Sequence, residues 1–150
     1  MVKIKEIMEE LHLLAVYGDL REGCSSHNEI LKHQTRIGDF DSEPIYSMYS
    51  FTTFPALVKN GNTSIKMEVY EITDRILNRL NRLQTYEKGK EVDNFYNIET
   101  IDTPYGEAKV YIFNQKVTGK ALISTGDWVA FKNEMAMLIK TNKLTSRHDY

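Results

Sequence analysis

The feature that most constrains this chain is a short apolar run that stops abruptly. The run from Leu13 to Tyr17 is followed at once by Gly18 and then by polar residues. An apolar run of this length predicts a buried strand, and the glycine predicts a turn where that strand leaves its sheet. Such a turn exposes main-chain N–H groups, which can hold a carboxylate or another oxyanion. The sequence therefore predicts an anion-binding turn after the first strand.

The length and composition predict one folded domain that spans residues 1–150. Hydrophobic residues make up 41% of the chain and charged residues 27%, which is enough apolar material for a packed core. The formal net charge of -2 argues against a nucleic-acid-binding protein that depends on a broad basic surface. No apolar run approaches the roughly 18 residues that a membrane-spanning helix needs. We therefore expect no nucleic-acid partner and no membrane partner.

The first residues lack the continuous apolar core of a signal peptide. Cys24 is the single cysteine of the chain, so no internal disulfide can form. Both observations favour a cytoplasmic protein.

Hydrophobic periodicity predicts about seven strands and three helices. The predicted strands are residues 13–17, 36–42, 46–51, 65–71, 96–102 and 107–114, with a shorter one at 54–58. Asn60-Gly61-Asn62 predicts a hairpin turn after residues 54–58, and Thr103 to Gly106 predicts another. Thr73-Asp74 predicts the start of a helix, and residues 131–144 predict a closing helix. The class is therefore α+β, with a small mixed and mostly antiparallel barrel or curled sheet flanked by helices.

The N-terminal segment predicts an additional helix within residues 1–12. Apolar residues recur there at intervals of three and four over residues 3–11. Such a stripe either covers the sheet or binds another protein, and the sequence leaves both interpretations open.

Several short motifs follow one another along the chain. They are Val16-Tyr17-Gly18-Asp19-Leu20-Arg21 with Ser26-His27, Phe54-Pro55-Ala56-Leu57-Val58, Glu68-Val69-Tyr70-Glu71-Ile72, Leu80-Asn81-Arg82-Leu83-Gln84-Thr85-Tyr86, Ala108-Lys109-Val110-Tyr111-Ile112-Phe113, and Ser124 with Gly126-Asp127-Trp128. Their order resembles the gamma-glutamylcyclotransferase-like family, including its plant avirulence-induced and bacterial gamma-glutamylamine branches. The resemblance covers roughly residues 13–130.

The resemblance implies a small mixed barrel flanked by helices and an intramolecular reaction. In that reaction the α-amine of a gamma-glutamyl group attacks its own side-chain carbonyl, so that an amine or peptide leaves and 5-oxoproline forms. No metal and no organic cofactor is implied. The turn Tyr17, Gly18, Asp19, Leu20 and Arg21 is expected to hold the substrate, and Tyr86 is expected to border the pocket.

The chain departs from the family at the position of the general base. Where the family has a glutamate, this chain has Gln84, and two neighbouring family residues are replaced by Asn81 and Thr85. A carboxamide can form a hydrogen bond with an ammonium group but cannot take its proton. Three explanations remain open: a natural binding protein for a small polar metabolite or signalling molecule, a glutamate-to-glutamine change made to trap a ligand, or rescue by another acid such as Glu87 or Glu91.

Other chemistry-bearing residues favour structural roles. Cys24 lies near Ser26 and His27, but no strand–turn–helix elbow surrounds it, which favours an ordinary loop residue over a nucleophile. The four histidines show no metal-binding spacing, so no metal site is expected. Four aromatic residues are expected in the core or, alternatively, in the wall of a pocket. They are Tyr49, Phe51, Phe54 and Tyr86.

Overall fold

A computed structural model describes residues 10–148 of the chain and the side chains of residues 10–142. The strands are β1 Leu11–Val16, β2 Thr35–Asp41, β3 Tyr46–Ser50, β4 Pro55–Lys59, β5 Lys66–Thr73, β6 Tyr96–Thr103, β7 Gly106–Phe113 and β8 Ala121–Leu122. The helices are α1 Ser25–Ile30, α2 Asp74–Leu83 and α3 Trp128–His148.

The strands form two sheets. A five-stranded sheet has the order β2-β5-β1-β7-β6, and a three-stranded sheet has the order β4-β3-β8. β1 runs parallel to β7, whereas every other strand pair of the described residues is antiparallel. The predicted α+β class with a mixed, mostly antiparallel sheet core is therefore confirmed. Over residues 10–148 the strands do not close into a barrel.

The second half of β1 is buried on both faces, because the smaller sheet packs against one face and α1 and α2 pack against the other. Ala15 points into a core that includes Met48 and Leu57 of the smaller sheet, together with Trp128. Leu14 points the other way, into a second core that contains residues of α1 and α2. Side chains alternate across a strand, so a strand buried on both sides needs a continuous apolar run. The two-sided burial of β1 thus explains why its sequence is apolar without alternation.

α2 begins where the sequence predicts it. The hydroxyl oxygen of Thr73 accepts a hydrogen bond from the N–H of Ile76, which is the usual geometry of an N-cap. Leu77 and Leu80 are buried against the larger sheet, as their spacing predicts. The helix is thus fixed at its start by a side-chain cap and along its length by packing.

The prediction of a hairpin at Asn60-Gly61-Asn62 is wrong. β4 pairs with β3, whereas β5 pairs with β1 and β2 in the other sheet. After β4 the chain turns back onto the start of β3, where Gly61 N–H donates to Ile45 and Thr63 forms an isolated bridge with Tyr46. The turn signal was correct locally, but it joins two sheets rather than two paired strands.

The predicted N-terminal helix is largely untested, because residues 1–9 lie outside the described residues. Its end is corrected, since Leu11 and His12 belong to β1 and pair with β5. None of the helices described over residues 10–148 is long and apolar enough to span a bilayer.

Candidate functional site

The turn after β1 is shaped by its own backbone and by α1. The N–H of Arg21 donates to the carbonyl of Gly18 at 2.9 Å, which closes the turn. His27 fixes it from α1, because its backbone N–H donates to the carbonyl of Asp19 at 3.1 Å and its Nδ1 lies 2.9 Å from the carbonyl of Leu20. A carbonyl only accepts, so Nδ1 carries the proton in this contact. The motif Ser26-His27 therefore shapes the turn through its histidine.

Gly18 is required in this turn by the close approach of β4. A Cβ atom at position 18 would lie 2.8 Å from Cγ and 2.9 Å from Cδ of Pro55. Contacts that short are repulsive, so any side chain here would displace the turn or the proline. The first strand can end against β4 only because residue 18 has no side chain.

Arg21 lies behind the turn in a buried network of charges. Its Nε donates to Glu68 at 3.0 Å and its Nη1 donates to Asp127 at 2.9 Å. Glu68 also accepts from the N–H of Glu22 and from the hydroxyl of Tyr70, both at 2.8 Å. Burial by itself raises the pKa of Glu68, but the hydrogen bonds from Glu22, Arg21 and Tyr70 hold that pKa below its ordinary value. The guanidinium of Arg21 is thus held by two protein carboxylates.

Asp19 connects the turn to α3. Its Oδ1 accepts a hydrogen bond from Trp128 Nε1 at 3.1 Å and from Lys132 Nζ at 3.2 Å. Its carboxylate therefore has two donors from the protein and is charge-balanced by Lys132.

The N–H groups of Gly18, Asp19 and Leu20 remain available. Within the described part of the chain, none of the three donates to a protein acceptor. Successive main-chain N–H groups in a turn form a concave donor set that suits an anion. The turn therefore has the donors that an oxyanion or a carboxylate requires.

The end of α2 fixes the position of Gln84. Tyr86 N–H donates to the carbonyl of Asn81 at 2.8 Å and Thr85 N–H donates to that of Arg82 at 3.2 Å, which together form a Schellman motif. Thr85 has a φ of 51°, in the left-handed region where glycine is normally found. Thr85 therefore occupies a position whose backbone conformation glycine favours.

A cavity of about 530 Å³ lies between the turn, α1, α2 and the edge of the smaller sheet. α1 contributes Ser26, Glu29 and Ile30, and α2 contributes Leu80, Leu83 and Gln84. Each set has the spacing i, i+3, i+4, so each helix presents one face to the cavity. The remaining wall residues are Ala15, Val16, Tyr17, Gly18, Asp19, Leu20, Thr53, Phe54, Pro55, Tyr96 and Tyr111.

Five of the seven predicted site residues line this cavity. They are Tyr17, Gly18, Asp19, Leu20 and Gln84. Arg21 is absent from the lining because it points into the network with Glu68 and Asp127. Tyr86 is also absent from the lining and packs on the core beneath α2. The substrate-binding roles of these residues remain predictions.

Glu87 and Glu91, the two acids that the sequence offers as alternatives to a carboxylate at position 84, lie outside the cavity. Glu87 is exposed and pairs with Lys90 at 3.3 Å. Glu91 accepts from the N–H of Gly89 at 3.1 Å. Neither residue lines the cavity.

Several polar residues of the wall were not predicted from the sequence, among them Tyr96, Tyr111 and Glu29. Tyr111 donates its hydroxyl to Asn81 at 2.6 Å, and burial raises its pKa and that of Tyr96. Both phenols are therefore neutral hydrogen-bond donors at physiological pH. Glu29 lies on α1, a helix of six residues in a polar segment. A helix this short has too few residues for hydrophobic periodicity to show from the sequence which side faces the cavity. Among the four aromatic candidates, Phe54 is a wall residue.

Cys24 shows none of the properties of a nucleophile. It is buried, and burial is the largest effect that raises the pKa of its thiol. A raised pKa reduces the thiolate fraction, which is the reactive form.

Glu10, His12 and Asp74 bring one potential ligand atom each within 4.8 Å of one another at the far end of β1. Lys109 Nζ lies 3.2 Å from His12 Nδ1, and His12 Nε2 lies 3.0 Å from Asp74 Oδ1. A lysine ammonium can only donate, so Nδ1 accepts, and Nε2 carries the proton of the hydrogen bond to Asp74. Both ring nitrogens are thus used by protein contacts rather than offered to a cation.

Comparison with known proteins identifies the family. The model of the family described as gamma-glutamyl cyclotransferase, AIG2-like, matches residues 14–130. A Vibrio cholerae relative named after gamma-glutamylcyclotransferase is 37% identical over 117 residues, which cover 78% of this chain and 95% of the relative. The gamma-glutamylcyclotransferase family protein YtfP of Escherichia coli K12 is 36% identical over 114 residues, which cover 76% and 93% of the two chains. The chain belongs to the AIG2-like gamma-glutamyl cyclotransferase family.

Solved structures agree with this assignment. The crystal structure of an uncharacterized protein from Pyrococcus horikoshii superposes with a TM-score of 0.69 at 30% identity, covering 84% of this chain and 97% of the other. The solution structure of Escherichia coli YtfP superposes with a TM-score of 0.61 at 32% identity, covering 77% and 95%. The resemblance noted in the sequence is therefore confirmed for both family and fold.

Proposed function

We propose that this chain binds a gamma-glutamyl amine or peptide in the cavity and converts it to 5-oxoproline with release of the amine. The observation that carries the proposal is that the turn with the free N–H groups of Gly18, Asp19 and Leu20 shares one cavity with the side chain of Gln84. Family membership supplies the reaction class.

The reaction is an internal acyl transfer. The α-nitrogen of the substrate forms a bond to its own side-chain carbonyl carbon, and the bond from that carbon to the leaving nitrogen breaks. The ammonium proton has to be removed before attack, and the leaving nitrogen has to gain one. Because nucleophile and carbonyl share one molecule, holding the substrate in a folded conformation removes much of the barrier.

The turn is suited to stabilise the charge that develops on the carbonyl oxygen. Its N–H groups are held in place by the contacts of His27 and by the close packing of Gly18 on Pro55. Donors fixed before the reaction do not have to reorganise as the oxyanion forms, and removing one such donor typically slows a reaction about 10²–10³-fold. The proposed role of the turn is thus electrostatic.

Gln84 supports substrate binding in this scheme rather than proton transfer. No hydrogen bond of its carboxamide to a described residue is present, so it is available to a ligand in the cavity. Its oxygen can accept from the substrate ammonium, but it cannot take the proton. A site in which no other group takes that proton would lack a general base, a loss that typically slows a reaction about 10²–10⁴-fold.

The test is a direct assay of product formation. L-γ-glutamyl-p-nitroanilide, L-γ-glutamyl-n-butylamide and L-γ-glutamyl-L-alanine are incubated with the wild-type chain, with Gln84→Glu and with Gln84→Leu. We expect wild type and Gln84→Glu each to form 5-oxoproline, and each to release one free amine for every 5-oxoproline formed. Gln84→Leu is the matched control for a change of similar size, and we expect it to raise KM. Absence of 5-oxoproline from wild type would refute the proposal, and its formation by Gln84→Glu alone would show that the cavity lacks only a proton acceptor.

One observation favours a second function, that of a binding module. A neutral Gln84 in an otherwise intact cavity can retain a ligand without turning it over. Native mass spectrometry of freshly purified protein detects such a ligand without assuming its class. A ligand retained by a protein that yields no 5-oxoproline would assign the chain to this second function.

A further inference from the structure

We propose that Glu29 is the proton acceptor of this chain, in place of the family glutamate whose position is occupied by Gln84. This inference rests on the proposed function, since it assigns a role within the same reaction. It starts from a requirement of the chemistry: the attacking nitrogen must lose a proton, and a carboxamide cannot accept it.

Two of the residues that line the cavity, Asp19 and Glu29, carry carboxylates. The carboxylate of Asp19 already accepts hydrogen bonds from Trp128 and Lys132, so it is paired with side chains of α3. Among the described residues, the carboxylate of Glu29 accepts no hydrogen bond and forms no ion pair, whereas its backbone carbonyl accepts from Arg79 Nη1 at 3.4 Å. Glu29 is therefore the wall carboxylate that is available to a substrate.

The placement of Glu29 follows from the geometry of two helices. On α1, Ser26, Glu29 and Ile30 face the cavity, and on α2, Leu80, Leu83 and Gln84 do so. The contact of Arg79 with the Glu29 carbonyl joins the two helices. Each helix thus places one long polar side chain, Glu29 or Gln84, among apolar wall residues.

The same geometry explains why a carboxylate here is useful despite its exposure to solvent. Glu29 is an exposed residue, so its carboxylate can return the proton to bulk water or to the leaving nitrogen. Gln84 holds the ammonium, and the turn holds the developing oxyanion. The substrate would then lie between a neutral hydrogen-bond acceptor and an anionic proton acceptor on different helices.

The experiment compares wild type with Glu29→Gln, Gln84→Glu and the double variant, using L-γ-glutamyl-n-butylamide as the probe. We expect Glu29→Gln to lower kcat about 10²-fold or more with little change in KM, as for the loss of a general base. Gln84→Glu should restore turnover in the Glu29→Gln background, because it returns a carboxylate to the family position. Glu87→Gln removes an exposed carboxylate outside the cavity and is the matched control, with activity expected within about twofold of wild type. Thermal unfolding of each variant confirms that it is folded.

The outcomes separate this proposal from the proposed function. An active wild type whose kcat is unaffected by Glu29→Gln would overturn the role of Glu29 and leave the reaction itself in place. An effect of Glu29→Gln on KM alone would likewise overturn it, since this result assigns Glu29 to substrate binding. If 5-oxoproline forms only in variants that carry the Gln84→Glu substitution, the cavity can support the reaction once a carboxylate stands at position 84, but the chain itself does not perform it, so Glu29 is excluded as a base and the proposed function fails for wild type. If no variant forms product, both proposals fail.

Discussion

The guanidinium of Arg21 lies 3.0 Å from the carboxylate of Glu68, and both side chains are almost completely buried. This ion pair ties the turn after β1 to β5, and Asp127 extends it to the start of α3. Arg21, which the resemblance assigns to substrate binding, is thus held by two carboxylates behind the turn, and its role in binding stays a prediction. The contact also determines how the protein should respond to mutation and to acid.

Removing Arg21 should destabilise the protein strongly. Arg21→Ala leaves Glu68 and Asp127 without their shared cation, and breaking a buried pair in this way costs about 3–5 kcal/mol. The measurement is urea-induced unfolding of wild type and variant. Arg36→Ala is the control, because Arg36 pairs with Glu22 at the surface, where such pairs contribute about 0–1 kcal/mol. Equal losses in the two variants would contradict a special role for the buried network.

Acid should weaken the same network. Burial alone raises the pKa values of Glu68 and Asp127, but their hydrogen bonds lower these pKa values more strongly. In the folded state both pKa values therefore lie below the unfolded-state values, which are about 4.3 for glutamate and about 3.9 for aspartate. The stabilisation is therefore complete above those unfolded-state values and is lost as the pH falls through the lower folded-state values. We expect the free energy of unfolding of wild type to decrease below about pH 4.

The variant Glu68→Gln tests whether Glu68 causes this loss of stability in acid. The quantity to compare is the slope of the free energy of unfolding against pH, rather than the free energy itself. Its free energy of unfolding should depend less steeply on pH below about 4, because one of the two linked groups no longer titrates. Glu99→Gln, which removes an exposed pair with Lys59, is the control. A Glu68→Gln slope as steep as that of wild type would exclude Glu68 as a source of the acid sensitivity.

Thr85→Gly should stabilise the protein. Thr85 adopts a left-handed backbone conformation in which a β-branched side chain is strained, and glycine is not. We expect a gain of about 1 kcal/mol, which corresponds to roughly 3 °C in Tm for a domain of this size. Thr85→Ala is the control, since it removes the hydroxyl contact with the Gln84 carbonyl but keeps a Cβ atom. A stabilisation by alanine equal to that by glycine would show that backbone strain is not the cause.

Gly18→Ala should damage ligand binding because a Cβ atom at this position meets the ring of Pro55. Displacing the turn moves its N–H groups, and loss of one anion-binding donor costs about 10²–10³-fold in rate where the donor stabilises an oxyanion. Turnover of L-γ-glutamyl-n-butylamide is the measurement. The double variant Gly18→Ala with Pro55→Ala removes the ring atoms and should recover part of the loss. No recovery would point to an effect other than this clash.

Much of the fold was predictable because its signals are local. The apolar run that becomes β1, the cap at Thr73 and the turn from Thr103 to Gly106 each depend on neighbouring residues. The hairpin at Asn60-Gly61-Asn62 was predicted wrongly because a turn signal does not say which strand the chain will pair with afterwards. Partner choice depended instead on the contacts of the turn with the start of β3.

The site was predictable where residues lie next to each other in sequence and unpredictable where the fold brings them together. The motif after β1 and Gln84 both reach the cavity, as expected. Arg21 belongs to the same motif, yet its partners Glu68 and Asp127 lie on distant parts of the chain, so its burial could not be foreseen. Glu29 was missed for the converse reason, since nothing around it in sequence indicates that α1 packs beside α2.

The central place of β1 has a consequence for when the turn that follows it can form during synthesis. Leu14 pairs with Tyr70 on one side and with Lys109 on the other, so both neighbours of β1 are synthesised long after it. Contacts between residues far apart in sequence make folding slow, because the chain loses entropy in bringing distant segments together before their contacts can stabilise it. A nascent chain that still lacks β7 has no complete sheet to support the turn, so the turn can reach its final position only when most of the polypeptide has left the ribosome.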